Sequence, residues 1–132
     1  MRSLSWQEFD RAIETLASLC ADADPIGIHG IPRGGLVLAV ALSHRLQVPL
    51  LAKPQPGCLV VDDVVETGRT LAPFRQLSGC SLLVWISKLE PTWWQAAEVC
   101  SSDEWILFPW EQANAAAADE RRYRRSRGDG CR

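Results

Sequence analysis

Leu59-Val-Val-Asp-Asp-Val-Val-Glu-Thr-Gly-Arg-Thr70 is the stretch on which the fold of this chain turns. Together with Cys58 it opens on an apolar run suited to a central parallel strand, buried on both faces. Asp62 and Asp63 stand at the end of that run and begin a polar exit loop over residues 62–70. Residues 71–77 read as a short helix, with Pro73 in the first turn, where proline is tolerated. Such a unit gathers backbone N–H groups, the hydroxyls of Thr67 and Thr70 and a helix N-terminus around one point, which makes a phosphate cradle. The paired carboxylates beside it suit ribose hydroxyls, or a Mg²⁺ ion completed by phosphate oxygens. The plainer alternative is a strand that ends in a solvated acidic turn.

Upstream, Ile26-Gly-Ile-His-Gly30 is short, partly β-branched and bounded by proline and glycine, which predicts a strand. Ile31-Pro-Arg-Gly-Gly35 is a turn, and residues 36–46 are apolar nearly all round until Ser43, His44 and Arg45, as in a helix packed on a sheet. Residues 48–51 suit a short strand, and Lys53-Pro-Gln-Pro-Gly57 a turn, because two prolines break any ladder. Near the start, Ser5 and Glu8 fit a capping box, with Leu4 and Phe9 placed for a hydrophobic staple. Trp6, Phe9, Ile13, Leu16 and Cys20 recur at helical spacing and predict one buried stripe. Downstream, residues 81–86 read as a buried strand, 92–97 as a helix, 98–100 as a short strand and 105–110 as an extended segment. Strands alternating with helices imply an α/β fold in three layers, a mostly parallel central sheet flanked by helices. Ligands of such sheets sit beyond the C-terminal strand ends, where both glycine-bearing polar loops fall.

The chain has 132 residues, 47% of them apolar, enough for one compact core. No run approaches the roughly 18 apolar residues that cross a bilayer, and residues 1–10 lack the apolar core of a signal peptide. A soluble cytoplasmic protein is expected, with no membrane partner. The five cysteines are scattered without a CxxC spacing, which suits reduced thiols over a disulfide framework or a zinc site. The net charge of −2 hides an asymmetry, because residues 119–132 carry six arginines against Asp119, Glu120 and Asp129. A domain over residues 1–112 is expected, followed at 113–132 by an Ala-rich, then Arg-rich, poorly ordered tail. Those arginines are the one place where nucleic acid would be met. His29 in a strand and His44 late in a helix read as structural.

The segment from Leu59 to Thr70 closely resembles the phosphoribosyl pyrophosphate (PRPP) signature of type I phosphoribosyltransferases. Beside it, Ile31-Pro-Arg-Gly-Gly-Leu36 resembles the family's pyrophosphate loop, in which Arg33, Gly34 and Gly35 would grip the leaving group and a non-proline cis peptide often occurs. Lys88 after a strand, Asp103-Glu-Trp-Ile-Leu-Phe-Pro-Trp-Glu111 and Trp6 resemble the xanthine-guanine phosphoribosyltransferases in particular. The resemblance spans residues 4–111. It implies Mg²⁺-dependent transfer of a 5-phosphoribosyl group from PRPP to a 6-oxopurine by a homodimeric enzyme. Asp62 and Asp63 would bind ribose and metal, and Thr67, Gly68, Arg69 and Thr70 the 5′-phosphate. Glu66, where relatives carry an aspartate, would be the acid/base at purine N7. Lys88 would read the 6-oxo group, Trp105 would stack on the ring, and backbone near Ile106 would touch the base edge. A core or interface position suits Trp105 as well, and a solvated loop position suits Glu66.

One departure stands out. Relatives insert a long flap that closes over the reacting sugar, whereas here only residues 52–57 separate Leu51 from Cys58. Seven steps reach at most roughly 24 Å fully extended, too short for a hairpin. Slow transfer, hydrolysis of PRPP or a lid from elsewhere would follow. A PRPP-sensing module without turnover and a transferase with a non-purine acceptor stay open as alternatives.

Overall fold

The computed structural model describes residues 1–126. Its centre is a four-stranded, wholly parallel sheet in the order β2 (Ile28–Gly30), β3 (Leu59–Val65), β4 (Ser81–Ser87), β5 (Gln95–Val99). Leu50 forms a parallel bridge to Ile28 on the outer side of β2. A small parallel pair, β1 (Arg2–Ser3) with β6 (Ile106–Leu107), ties the two ends of the domain together. Three α-helices complete the chain: α1 (Trp6–Leu19), α2 (Gly34–Leu46) and α3 (Ala113–Arg125).

Local chemistry fixes the helix ends. Ser5 Oγ accepts from Glu8 N at 3.0 Å, and Glu8 Oε1 accepts from Ser5 N at 3.0 Å, so the expected capping box starts α1. The same contact holds the Glu8 carboxyl below its ordinary value. Phe9, Ile13, Leu16 and Cys20 are buried as the periodicity requires, but Trp6 is 52% exposed, its ring edge-on to Phe9 at 5.1 Å. Helix α2 stops at Gln47, which takes a left-handed conformation, just before Pro49.

The core lies mainly on one face, where Leu16 of α1 and Leu38 and Leu42 of α2 meet Leu59, Val61, Leu83 and Trp85. The second face is covered by Trp94, Phe74 and a five-residue 3₁₀ turn at Ala72–Gln76, over Val60, Leu82 and Val84.

Besides the exposed Trp6, α2 starts at Gly34, within the expected turn at 31–35, and the strand expected at 48–51 is reduced to the bridge at Leu50. Four further departures are larger. Strand β3 runs on to Val65, because Val64 and Val65 keep pairing with Ile86 and Ser87, so both aspartates lie within the strand. Residues 71–77 form the 3₁₀ turn instead of a helix with its own N-terminus, since Pro73 and the turn at Gly79 leave no room to propagate. Residues 95–99, expected as helix and then strand, are β5 throughout, because the open edge of β4 pairs them. Finally, residues 113–125 of the expected tail form α3. Alanine runs favour helix, and this one is anchored through buried Ala116, through Tyr123 and through Arg124. The rest of that tail, including Arg127 and Arg132, lies outside the described residues. No helix among the described residues is long and apolar enough to cross a membrane.

Candidate active site at the strand-order reversal

After β2 the chain crosses through α2 to the bridge at Leu50 on one side, whereas β3 lies on the other side of β2. The strand order therefore reverses between β2 and β3, and the loops leaving these two strands open into a shared crevice. Ile31 N donates to Val61 O at 2.9 Å, which locks the exit of β2 beside β3. The Pro32–Arg33 peptide bond is cis.

Two glycines let the loops close on each other. A Cβ on Gly35 would stand against the Val61 carbonyl and 3.1 Å from the Asp62 Cα, which is backbone on backbone. One on Gly34 would fall within the Asp63 carboxylate, 2.6 Å from its Cγ. Only residues without side chains let α2 begin this near to β3. The Asp63 carboxylate lies against Gly34, and Asp62, 7% exposed, borders the same cleft. Each carboxylate accepts from the next backbone amide, Asp62 Oδ1 from Asp63 N and Asp63 Oδ1 from Val64 N, both at 2.8 Å. Beyond β3, Thr67 Oγ1 accepts from Arg69 N at 3.2 Å, and Gly68 turns the loop at φ 83°, a conformation that suits glycine.

A cleft of about 830 Å³ lies over these loops. Arg33, Gly34, Asp62, Asp63, Thr70 and Trp105 all line it, so the phosphate-loop residues and the expected stacking aromatic share one space. Gly35 is buried behind Gly34, and Glu66, Thr67, Gly68 and Arg69 continue from the end of β3 beyond the lining. Trp105 is 5% exposed, and Ile106 is buried in the core as the partner of Arg2. Lys88 stands outside the lining. Its Nζ donates to Ser102 O at 2.7 Å and Glu104 O at 2.5 Å, fastening the segment that delivers Trp105. His29 is structural, its Nδ1 within 3.1 Å of Leu51 O.

No cluster of three or more metal-ligating side chains occurs among the described residues. Asp62 and Asp63 supply two carboxylates at the cleft, which fits a magnesium ion that takes its remaining oxygens from substrate and water. Neither a caged metal nor a redox metal suits that donor set.

The fourth wall was not legible beforehand. Asp119, Arg122, Tyr123 and Ser126 of α3 and its end face the cleft, at three- and four-residue spacing. Tyr123 Oη lies 3.4 Å from Glu66 Oε2, and its ring meets that of Trp105 at 5.5 Å. Arg124 donates to Asp103 O at 2.8 Å and to Glu120 Oε2 at 3.0 Å, and these acids push its guanidinium pKa up. Arg122 pairs with Asp119. The basic run is thus partly neutralised within the domain. A signal was present in the sequence: Asp119, Tyr123 and Ser126 share one helical face, and Tyr123 is the chain's single tyrosine.

No family model matches the chain. It is 28% identical over 138 residues to the xanthine-guanine phosphoribosyltransferase of Chromohalobacter salexigens, covering 86% of this chain and 85% of that protein. The protein of the same name from Desulfotalea psychrophila is also 28% identical, with 87% and 89% covered. Among solved structures, the purine phosphoribosyltransferase of Pyrococcus horikoshii superposes with a TM-score of 0.71 at 28% identity, over 84% of this chain and 94% of that one. The xanthine-guanine-hypoxanthine phosphoribosyltransferase of Helicobacter pylori reaches a TM-score of 0.71 at 16% identity, over 90% and 98%, a likeness of fold alone. This chain therefore has the type I phosphoribosyltransferase fold and is a homologue of proteins named xanthine-guanine phosphoribosyltransferase.

Proposed function

We propose that the chain transfers a 5-phosphoribosyl group from PRPP to a 6-oxopurine and releases pyrophosphate. One observation carries this reading: Arg33, Gly34, Asp62, Asp63 and Trp105 line the same cleft. A doubly phosphorylated sugar needs a cation and exposed amides at one end, acids at the ribose and a cradle for its 5′-phosphate. The loops after β2 and β3 carry groups of each kind.

In the reaction the purine N9 bonds to C1 of the ribose while the bond from C1 to the pyrophosphate oxygen breaks. Arg33 and the amides at Gly34 and Gly35 hold the departing pyrophosphate, and preorganised donors of this kind stabilise charge as it develops. Asp62 and Asp63 hold the ribose hydroxyls and would hold Mg²⁺, whose charge offsets that of the phosphate oxygens. Residues 67–70 seat the 5′-phosphate through amides and hydroxyls. Glu66 handles the proton at N7 as the purine ring changes charge. Trp105 supplies a flat face for the base, with the backbone at Ile106 along its edge, and Lys88 reads the 6-oxo group.

Labelled PRPP incubated with Mg²⁺ and guanine, xanthine or hypoxanthine tests this directly. Nucleotide formation is expected with at least one base, and binding of PRPP without product would favour a sensing module. The short turn between Leu51 and Cys58 is the feature that recommends that second reading. Should Lys88→Ala leave purine use unchanged, Lys88 does not read the 6-oxo group, and should no purine be used, a different class of acceptor takes its place.

We also propose a homodimer in the cytoplasm. Leu36 and Val40 stand 39% and 43% exposed one turn apart on α2, an apolar strip suited to a second copy. The described cysteines are all free thiols, in keeping with a reducing compartment.

A further inference from the structure

Helix α3 lines the cleft, whereas no residue of the short turn at 52–57 does. One face of it, through Asp119, Arg122 and Tyr123, forms a wall of the substrate space. Apart from Ala116, no residue of α3 is buried, so little apolar packing fixes it to the domain. It attaches to the acceptor side of the site. Tyr123 reaches Glu66 with its hydroxyl and Trp105 with its ring, and Arg124 grips Asp103 two residues before Trp105. A helix needing only to be stable has no reason to attach itself to the acid/base residue and the stacking ring together.

We infer that α3 is the in-chain cover of the reacting sugar and that Tyr123 is a positioning residue, orienting Glu66 through its hydroxyl and Trp105 through its ring. The inference rests on the proposed function. It gives the chain a substitute for a flap, in which the same side chain closes the cleft and aims the proton-transfer group. Covering the site limits attack of water on C1 of PRPP, a reaction that breaks the same C1–oxygen bond and yields ribose 5-phosphate and pyrophosphate.

Hydrogen exchange on the full chain, with guanosine 5′-monophosphate as the probe, tests the cover without requiring turnover. Slowed exchange is expected both at residues 62–70 and across α3. Protection of 62–70 alone would overturn the inference while leaving the proposed function standing. Protection of neither would remove both. Kinetics then isolate the hydroxyl. Tyr123→Phe keeps the ring on Trp105 and is expected to lower kcat about tenfold with the KM for base within about twofold, near what one hydrogen bond to a charged group contributes. Tyr123→Ala should also raise the KM for base and divert more PRPP to ribose 5-phosphate. A loss in Tyr123→Ala with Tyr123→Phe at the wild-type rate would mean that the tyrosine only packs, and wild-type rates in both would mean that it does nothing at the site. Either result refutes the positioning role.

Discussion

Gly34→Ala separates a glycine kept for the ligand from one kept for the fold. The new Cβ would sit 2.6 Å from Asp63 Cγ and 3.1 Å from Asp63 Cβ, so the carboxylate must turn away. Turning it forfeits the bond from Val64 N, now 2.8 Å long, at about 1 kcal/mol, and can cost a further ~1 kcal/mol in rotamer strain. Alanine recovers up to about 1 kcal/mol of helix propensity at the start of α2. The net loss of stability should therefore stay near 1 kcal/mol, or roughly 5 °C in Tm. The ligand should suffer more. An aspartate that no longer meets the ribose forfeits a charge-assisted hydrogen bond of about 1.5–3 kcal/mol, which is roughly a 10- to 100-fold rise in Kd. Gly35→Ala is the contrast, because its Cβ meets the Val61 carbonyl and the Asp62 Cα, 3.1 Å away, and backbone cannot rotate aside. Overpacking of about 1–3 kcal/mol with no compensating rotamer should make that variant the less stable of the two. Thermal unfolding and calorimetric titration with PRPP and Mg²⁺ on both proteins give the answer. If Gly34→Ala binds PRPP as tightly as wild type, the claim that Asp63 faces the ribose is wrong.

Further outcomes follow from the same geometry. Glu66→Gln should lower kcat by about 10²- to 10⁴-fold, the usual contribution of general acid–base catalysis, with PRPP affinity unchanged by calorimetry. Lys88→Ala removes the ammonium that holds Ser102 O and Glu104 O, and steady-state kinetics should show a KM for base raised about tenfold with the KM for PRPP unaltered. Burial pushes the Cys20 and Cys58 thiols up from the ordinary 9.0. Raised folded values make their contribution complete below pH 9 and lost as pH climbs through the folded values. Urea midpoints should therefore fall from pH 8 to pH 10, and less steeply in Cys58→Ala.

The parts of the fold set by local chemistry could be read from the sequence. The Ser5–Glu8 box, the buried run into Asp62 and Asp63, and the turn after β2 at residues 32–33 are short-range signals, and they place the cleft's floor, although α2 starts at Gly34, within the expected turn. The failures share a different cause. The segment Gln95-Ala-Ala-Glu-Val99 is rich in helix formers but lies against the edge of β4, so pairing overrides propensity. Val64 and Val65 looked like part of a polar loop until β4 offered Ile86 and Ser87 as partners. The run from Ala113 has the composition of a tail, and its course is set by Tyr123 meeting Trp105 and Arg124 meeting Asp103. Such contacts over 18 or 21 positions along the chain leave no trace in periodicity.

The claim that everything else depends on is that the loops after β2 and β3 hold a single sugar between them. A crystal structure grown with PRPP and Mg²⁺ tests it most directly. The account predicts pyrophosphate at Arg33, Gly34 and Gly35, ribose at Asp62 and Asp63, and the 5′-phosphate at residues 67–70, all in one molecule. PRPP bound away from either loop, or an empty cleft at saturating concentration, would contradict it.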